Sequence, residues 1–230
     1  MIESPMISVL GMAAESKPDS QAPKKLGRPA ACDALETRTR LLLEARRSFA
    51  NTGFDATTNR GIADAVGITT GAIYHYFPSK LDMYVAVYAE VQDLVYSAFE
   101  HASDNHLSFV DRLSAILDSL VELNAADPSL TCFVVGVAAE SQRHPELMVA
   151  IKPFRQRNAQ FLHQLCADAV SQGQIHDDIS VDALQDLIDV LLSGLARFST
   201  VTNDNERGRA AITALKHLVA GNAVRTPATL

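Results

Sequence analysis

Between residues 57 and 80 the chain places hydroxyl, aromatic and cationic side chains at intervals suited to contact with a nucleic acid. Thr70 and Ala72 are small enough to approach base edges, and either can touch a thymine methyl. Tyr74, His75 and Tyr76 offer hydrogen bonds to phosphate. Tyr76 and the neighbouring Phe77 have an equal claim as core residues. Thr69 can cap the helix that carries them. Upstream, Thr58 can cap a second short helix while presenting its hydroxyl or backbone amide to phosphate, and Asn59 and Arg60 are within reach of a base edge or the backbone. Lys80 falls in the first turn of a later helix, where the macrodipole disfavours a cation. A phosphate there would reverse that penalty; Asp82 offers the plainer compensation. Ahead of these elements, Lys24, Lys25 and Arg28 form a basic arm. Its Gly27-Arg28-Pro29 run can lay Arg28 in a narrow A/T-rich minor groove or act as a basic tail with non-specific affinity.

Other chemistries lack their residues. The sequence contains no GxSxG, P-loop, GxGxxG, HExxH or CxxC, so no catalytic activity, cofactor or metal centre is expected. His163 and Cys166 are three apart on one predicted helix, but a metal needs a third ligand that the pattern does not supply. Cys32, Cys132 and Cys166 are sparse and odd in number, which fits a reducing cytoplasm better than a disulfide framework. No apolar run reaches the eighteen or so residues of a membrane span, so no membrane partner is expected. The net charge of −7 hides an asymmetry: residues 24–80 carry +4, residues 1–23 carry −2, and residues 81–230 carry −9. A basic module joined to an acidic one points to a polyanionic partner for the first alone.

Helices must position all of this. No stretch alternates as a strand does, and no hairpin dipeptide occurs, so the expected fold is all-α. Residues 1–23 read as a disordered tail, 24–79 as a DNA-binding domain with its arm, 80–222 as a larger helical domain, and 223–230 as a C-terminal tail. The first helix is expected from Ala34 to about Asn51, capped by Asp33, with Leu35, Leu42, Leu43 and Phe49 on its buried stripe. Gly53 ends it as a left-handed cap. Short helices through Val66 and through Tyr76 or Phe77 flank Gly67, in the outline of a helix-turn-helix. Ile62, Ala63, Val66, Ile68 and Ile73 supply their packing face. Beyond Pro78, separators at Asp127-Pro128, His144-Pro145 and Gly173–Ser180 divide the chain into helices near 80–103, 106–125, 128–141, 145–172, 180–201 and 205–221.

The run Leu42-Leu43-Glu44-Ala45, Phe49, Gly53-Phe54, Thr57-Thr58, Ile62-Ala63, Ala65-Val66-Gly67-Ile68, Gly71, Ile73-Tyr74-His75-Tyr76-Phe77 and Ser79-Lys80 resembles the N-terminal domain of the TetR family of transcriptional regulators. It departs at Gly61, where the family usually carries a polar helix former and where glycine costs about 1 kcal/mol relative to alanine. The resemblance implies an all-helical, two-domain homodimer. It also implies DNA contacts at Tyr74, His75 and Tyr76, a phosphate contact at Lys80, and a dimer interface built from the last two helices.

In the larger domain, Leu184, Leu187, Ile188, Leu191, Leu195 and Phe198, with Ile212, Leu215 and Val219, form a face too broad for a lone surface helix, as a four-helix dimer bundle requires. The earlier helices are expected to enclose a cavity for a small apolar or aromatic effector. Its candidate lining is Tyr84, Tyr88, Phe99, Phe109, Leu113, Leu117, Phe133, Val137, Phe154, Phe161, Leu165 and His163. Asn124, Arg143, His144, Arg155 and Cys166 are further polar side chains in need of partners. The function expected is that of a cytoplasmic homodimeric regulator, a repressor of a palindromic operator in double-stranded DNA, released when an effector shifts the fourth helix. A regulator or architectural protein of the same fold without an effector is the alternative.

Overall fold

The computed structural model describes residues 30–221 and contains nine helices among them. These are α1 (Ala30–Ala56), α2 (Asn59–Val66), α3 (Thr70–Tyr76), α4 (Lys80–Ser103), α5 (Phe109–Ala126), α6 (Pro128–Arg143), α7 (Pro145–Ser171), α8 (Val181–Thr202) and α9 (Asn205–Val219). The two tails and the basic arm, with Lys24, Lys25 and Arg28, lie outside the described residues. Hydroxyl or carboxylate caps open most of the helices: Thr58, Thr69, Ser79, Ser108, Asp127, Ser180 and Asp204 each accept a hydrogen bond from a backbone N–H of the first turn. Pro128 and Pro145 begin α6 and α7, where a missing N–H costs nothing.

Two apolar cores result. The first gathers Leu41, Leu42, Ala45 and Phe49 of α1, Ile62, Ala63 and Val66 of α2, and Ile73 of α3 against Met83, Tyr84, Val87, Leu130, Phe133 and Ile151. The second joins Phe99, Phe109, Leu113, Ile116 and Leu117 to Leu162, Leu165, Cys166, Leu184, Ile188 and Ile212. The small helical head therefore shares its core with α4, α6 and α7.

Several expectations change. The first helix begins earlier, at Ala30, so Asp33 sits in its first turn instead of capping it. It runs to Ala56, broken at Gly53, whose backbone (φ 79°, ψ 177°) only glycine adopts easily. Leu35 is 66% exposed, because the buried stripe of α1 starts only at Leu41. Leu184, Ile188 and Ile212 are buried in their own chain's core, and Leu195, Leu215 and Val219 pack partly against it. The face of α8 left uncovered lies about a third of a turn away, at Leu187, Val190 and Val201, with Leu218 of α9 beside it. The sequence pattern missed Val190 and Val201 because an apolar stripe does not say which half of it the chain covers itself.

Candidate nucleic-acid interface and effector chamber

α3 is held by a single fully buried residue, Ile73, and by Phe77 just after it. This leaves Tyr74, 53% exposed, and His75 facing solvent, with Thr69 exposed at the cap and Thr70 and Ala72 half-buried. Tyr76 is half-buried and packs against the first core, so it divides its ring between core and surface. Gly67 joins α2 to α3 in the left-handed conformation (φ 79°, ψ 34°), and its N–H donates to Ala63 O at 2.9 Å. In α2, Thr58 Oγ1 accepts from Gly61 N–H at 3.1 Å. Gly61 and Arg60 are exposed, and Asn59 Oδ1 is buried with no protein partner. Arg60 approaches Asp64 at 3.8 Å across an exposed turn.

The basic excess of the head is partly consumed within the protein. Arg40 Nη2 donates to Val66 O at 2.6 Å. Arg46, 5% exposed, donates to Ser129 Oγ at 3.0 Å and pairs with Asp127 at 2.5 Å. Burial alone would raise the Asp127 carboxyl, but hydrogen bonds from Ser129 and the Arg46 charge hold it below the usual carboxylate range.

Lys80 is engaged within the head. Its Nζ donates to Phe54 O at 2.7 Å, Thr57 O at 3.2 Å and Asp55 O at 3.3 Å, and lies 4.4 Å from the centre of the Phe54 ring. All three ammonium donors are committed to the end of α1. Those carbonyls offset the cation's unfavourable place in the first turn of α4.

The opposite side of the same junction is gripped by α6. Phe54 N–H donates to Glu140 Oε1 at 3.3 Å, and Arg143 donates to the same oxygen at 2.9 Å. A Cβ on Gly53 would lie 2.7 Å from that oxygen. His144 Nε2 is 3.1 Å from Asp55 Oδ1, and its ring is 5.0 Å from Phe54. Coupling is therefore not confined to α4, the helix expected to carry it. Here α6 holds the head at both ends, through Ser129 and Asp127 near its start and Glu140 and His144 at its finish.

The chamber lies between α4, α5, α6, α7 and α8. An inner recess of about 130 Å³ is walled by Val95, Tyr96, Phe99, Leu120, Leu123, Leu130, Val134 and Leu192. It meets an outer space of about 770 Å³ lined by Tyr88, Met148, Lys152, Arg155 and Asn158. Gln92, Tyr96, Val134, Asp189 and Ser193 border both. The Gln92 and Asn158 amides hydrogen-bond to each other. Burial pushes the Tyr96 phenol up, and the Asp189 charge adds to this. Desolvation likewise raises the Asp189 carboxyl, nearby Asp186 reinforces it, and Arg155 opposes it.

Of the expected lining, Tyr88 and Phe99 border this chamber. Tyr84 and Phe133 fill the first core around Phe49 and Phe54, while Phe109 and Leu113 fill the second. Val137 and Phe154 pack on the first core. His163 faces an outer groove, with Nδ1 3.2 Å from Gln185 Oε1. Arg155 was legible as a polar residue needing a partner. Gln92, Tyr96, Asp189 and Ser193 were not, since nothing in their local pattern separates them from an ordinary solvated face.

Comparison with known proteins bears on both halves. The family profile described as bacterial regulatory proteins, tetR family, matches residues 41–87, and that described as BetI-type transcriptional repressor, C-terminal, matches residues 109–223. The transcriptional regulator UidR of Escherichia coli K12 is 29% identical over 148 residues, 64% of this chain and 74% of that protein. SrpR of Pseudomonas putida is 26% identical over 170 residues, 74% and 78% of the two chains. The solved structure of Salmonella enterica GusR superposes with a TM-score of 0.67 at 26% identity, covering 82% of this chain and 96% of that one. Bacillus subtilis FadR, solved with stearoyl-CoA, shares the fold at a TM-score of 0.71 and 16% identity, covering 81% and 99%. With one match over the reading head and another over half of its length, the chain belongs to the TetR family of transcriptional regulators.

Proposed function

We propose that two copies of the chain pair through α8 and α9, bind a palindromic operator through paired α3 helices, and leave it when a small molecule fills the chamber. The observation that carries this reading is the physical link between the two sites. α4 and α6 both border the chamber and both grip the loop around Phe54, beside the DNA-facing helices. A ligand that displaces either helix moves the head, and two heads read DNA together only when about 34–36 Å or a multiple separates their half-sites.

In this reading Thr69, Thr70, Ala72, Tyr74 and His75 meet the major groove and its phosphates. Thr58, Asn59 and Arg60 border the backbone, and the exposed Gly61 beside them leaves room for it. Lys24, Lys25 and Arg28 add charge from the arm. Lys80 positions the α1–α2 junction. DNA binding sets the place of action in the cytoplasm, at the nucleoid. Selection of duplexes from a random pool, followed by a gel shift on the recovered sequence, tests the reading. A palindromic consensus bound by a dimer is expected. Recovery of no preferred sequence overturns operator recognition, and a complex that no chamber ligand dissociates overturns release in favour of an effector-independent regulator.

A further inference from the structure

The chamber changes character along its length. Its inner end is apolar, at Val95, Phe99, Leu123 and Leu130. Its middle carries Gln92, Tyr96, Asp189 and Ser193. Its outer part carries Lys152 and Arg155, one turn apart on α7. Among the described residues neither cation has an ion pair or a side-chain hydrogen bond. Arg157, two positions on, turns to α4 and pairs with Asp93 at 2.6 Å and Glu100 at 3.8 Å. Acids are not scarce, since residues 81–230 carry a net −9. Asp189 borders the same outer space as Arg155 without pairing with it, so both charges stay available to a third party.

Resting on the release mechanism above, we infer that the chamber takes an amphipathic organic anion. Its apolar body enters the inner recess, its anionic head meets Lys152 and Arg155, and a hydrogen-bond donor between them faces Asp189 and Tyr96. A cationic amphiphile would satisfy Asp189 but bring its charge beside two unpaired cations. A neutral one would displace water from those cations without neutralising them. The Gln92 carbonyl already accepts from Asn158, which leaves Asp189 as the charged acceptor for the ligand's donor.

Calorimetric titration of the full-length protein with 3-hydroxydecanoate, decanoate, decyl phosphate and decyltrimethylammonium tests this. The anions are expected to bind more tightly than the cation, and 3-hydroxydecanoate more tightly than decanoate. Lys152→Gln and Arg155→Gln should each weaken the anions by about tenfold, with melting curves confirming that the variants fold. Asp189→Asn should erase the preference for the hydroxylated acid. Tightest binding by decyltrimethylammonium, lost in Asp189→Asn, overturns the inference, as do anion affinities that neither α7 substitution moves. Anions that bind as expected but leave the operator complex intact would instead overturn release and spare the ligand class.

Discussion

Asp189 illustrates a residue whose place costs the fold stability. Its carboxyl is raised by desolvation, so the folded state binds its proton more tightly than the unfolded chain does. A raised carboxylate costs stability once pH exceeds its unfolded value, and the cost is absent when both states are protonated. Asp189→Asn is therefore expected to raise the Tm at neutral pH, with the gain disappearing below the ordinary carboxylate range; melting curves across pH check this. Gly53 is the opposite case. Alanine there meets both a positive φ and the Glu140 carboxylate, so Gly53→Ala should lower stability by about 1–3 kcal/mol. Adding Glu140→Ala should recover only the steric part, which denaturant titration of both variants would separate. Tyr74→Ala touches no buried contact of note. It should weaken operator binding while leaving the melting temperature within error, and unchanged operator affinity would remove Tyr74 from the interface.

Among the elements, α6 is the one whose role exceeds what its sequence announces. Arg46 reaches it from α1, and removing either partner strands the other in a partly buried site. Arg46→Ala should cost about 1–3 kcal/mol. Because the Asp127 carboxyl is depressed in the folded state, the pair's contribution is full above the ordinary carboxylate range and is lost as pH falls through the folded value. Wild type and Arg46→Ala should thus converge in acid, as urea titrations at several pH values can show. The helices themselves were legible. The cap at Ser79 and the prolines at 128 and 145 are local signals, and α4, α6 and α7 begin where these put them. The chamber was not legible, because the sequence marks a helix face as apolar without saying which neighbour covers it. Phe133 and Tyr84 carry the same signal as Tyr96, yet two of them complete the head's core and only the third borders a cavity. Long-range contacts such as Phe54–Glu140 and Lys80–Phe54 join residues whose spacing carries no pattern at all.

At the level of the whole molecule, two cores in series make the reading head dependent on the helices that enclose the chamber, and the pairing proposed above falls to the apolar face that α8 leaves uncovered. Leu187, Val190 and Val201 lie on that face at helical spacing, 53%, 67% and 74% exposed, while Ile188 next to them is 1% exposed. An aspartate at these two kinds of position should therefore fail differently. Val190→Asp adds a charge to an exposed site, so the protomer should keep its fold to within about 0.5 kcal/mol while the dimer dissociates. Ile188→Asp buries an unpaired charge in the second core and should unfold the protomer itself. Sedimentation resolves the first effect and circular dichroism the second. A lone protomer brings half of the phosphate contacts to DNA, so the slope of log affinity against log salt for Val190→Asp should fall to about half that of wild type. A dimer that survives Val190→Asp with its salt slope intact would place the pairing surface on a different part of the molecule.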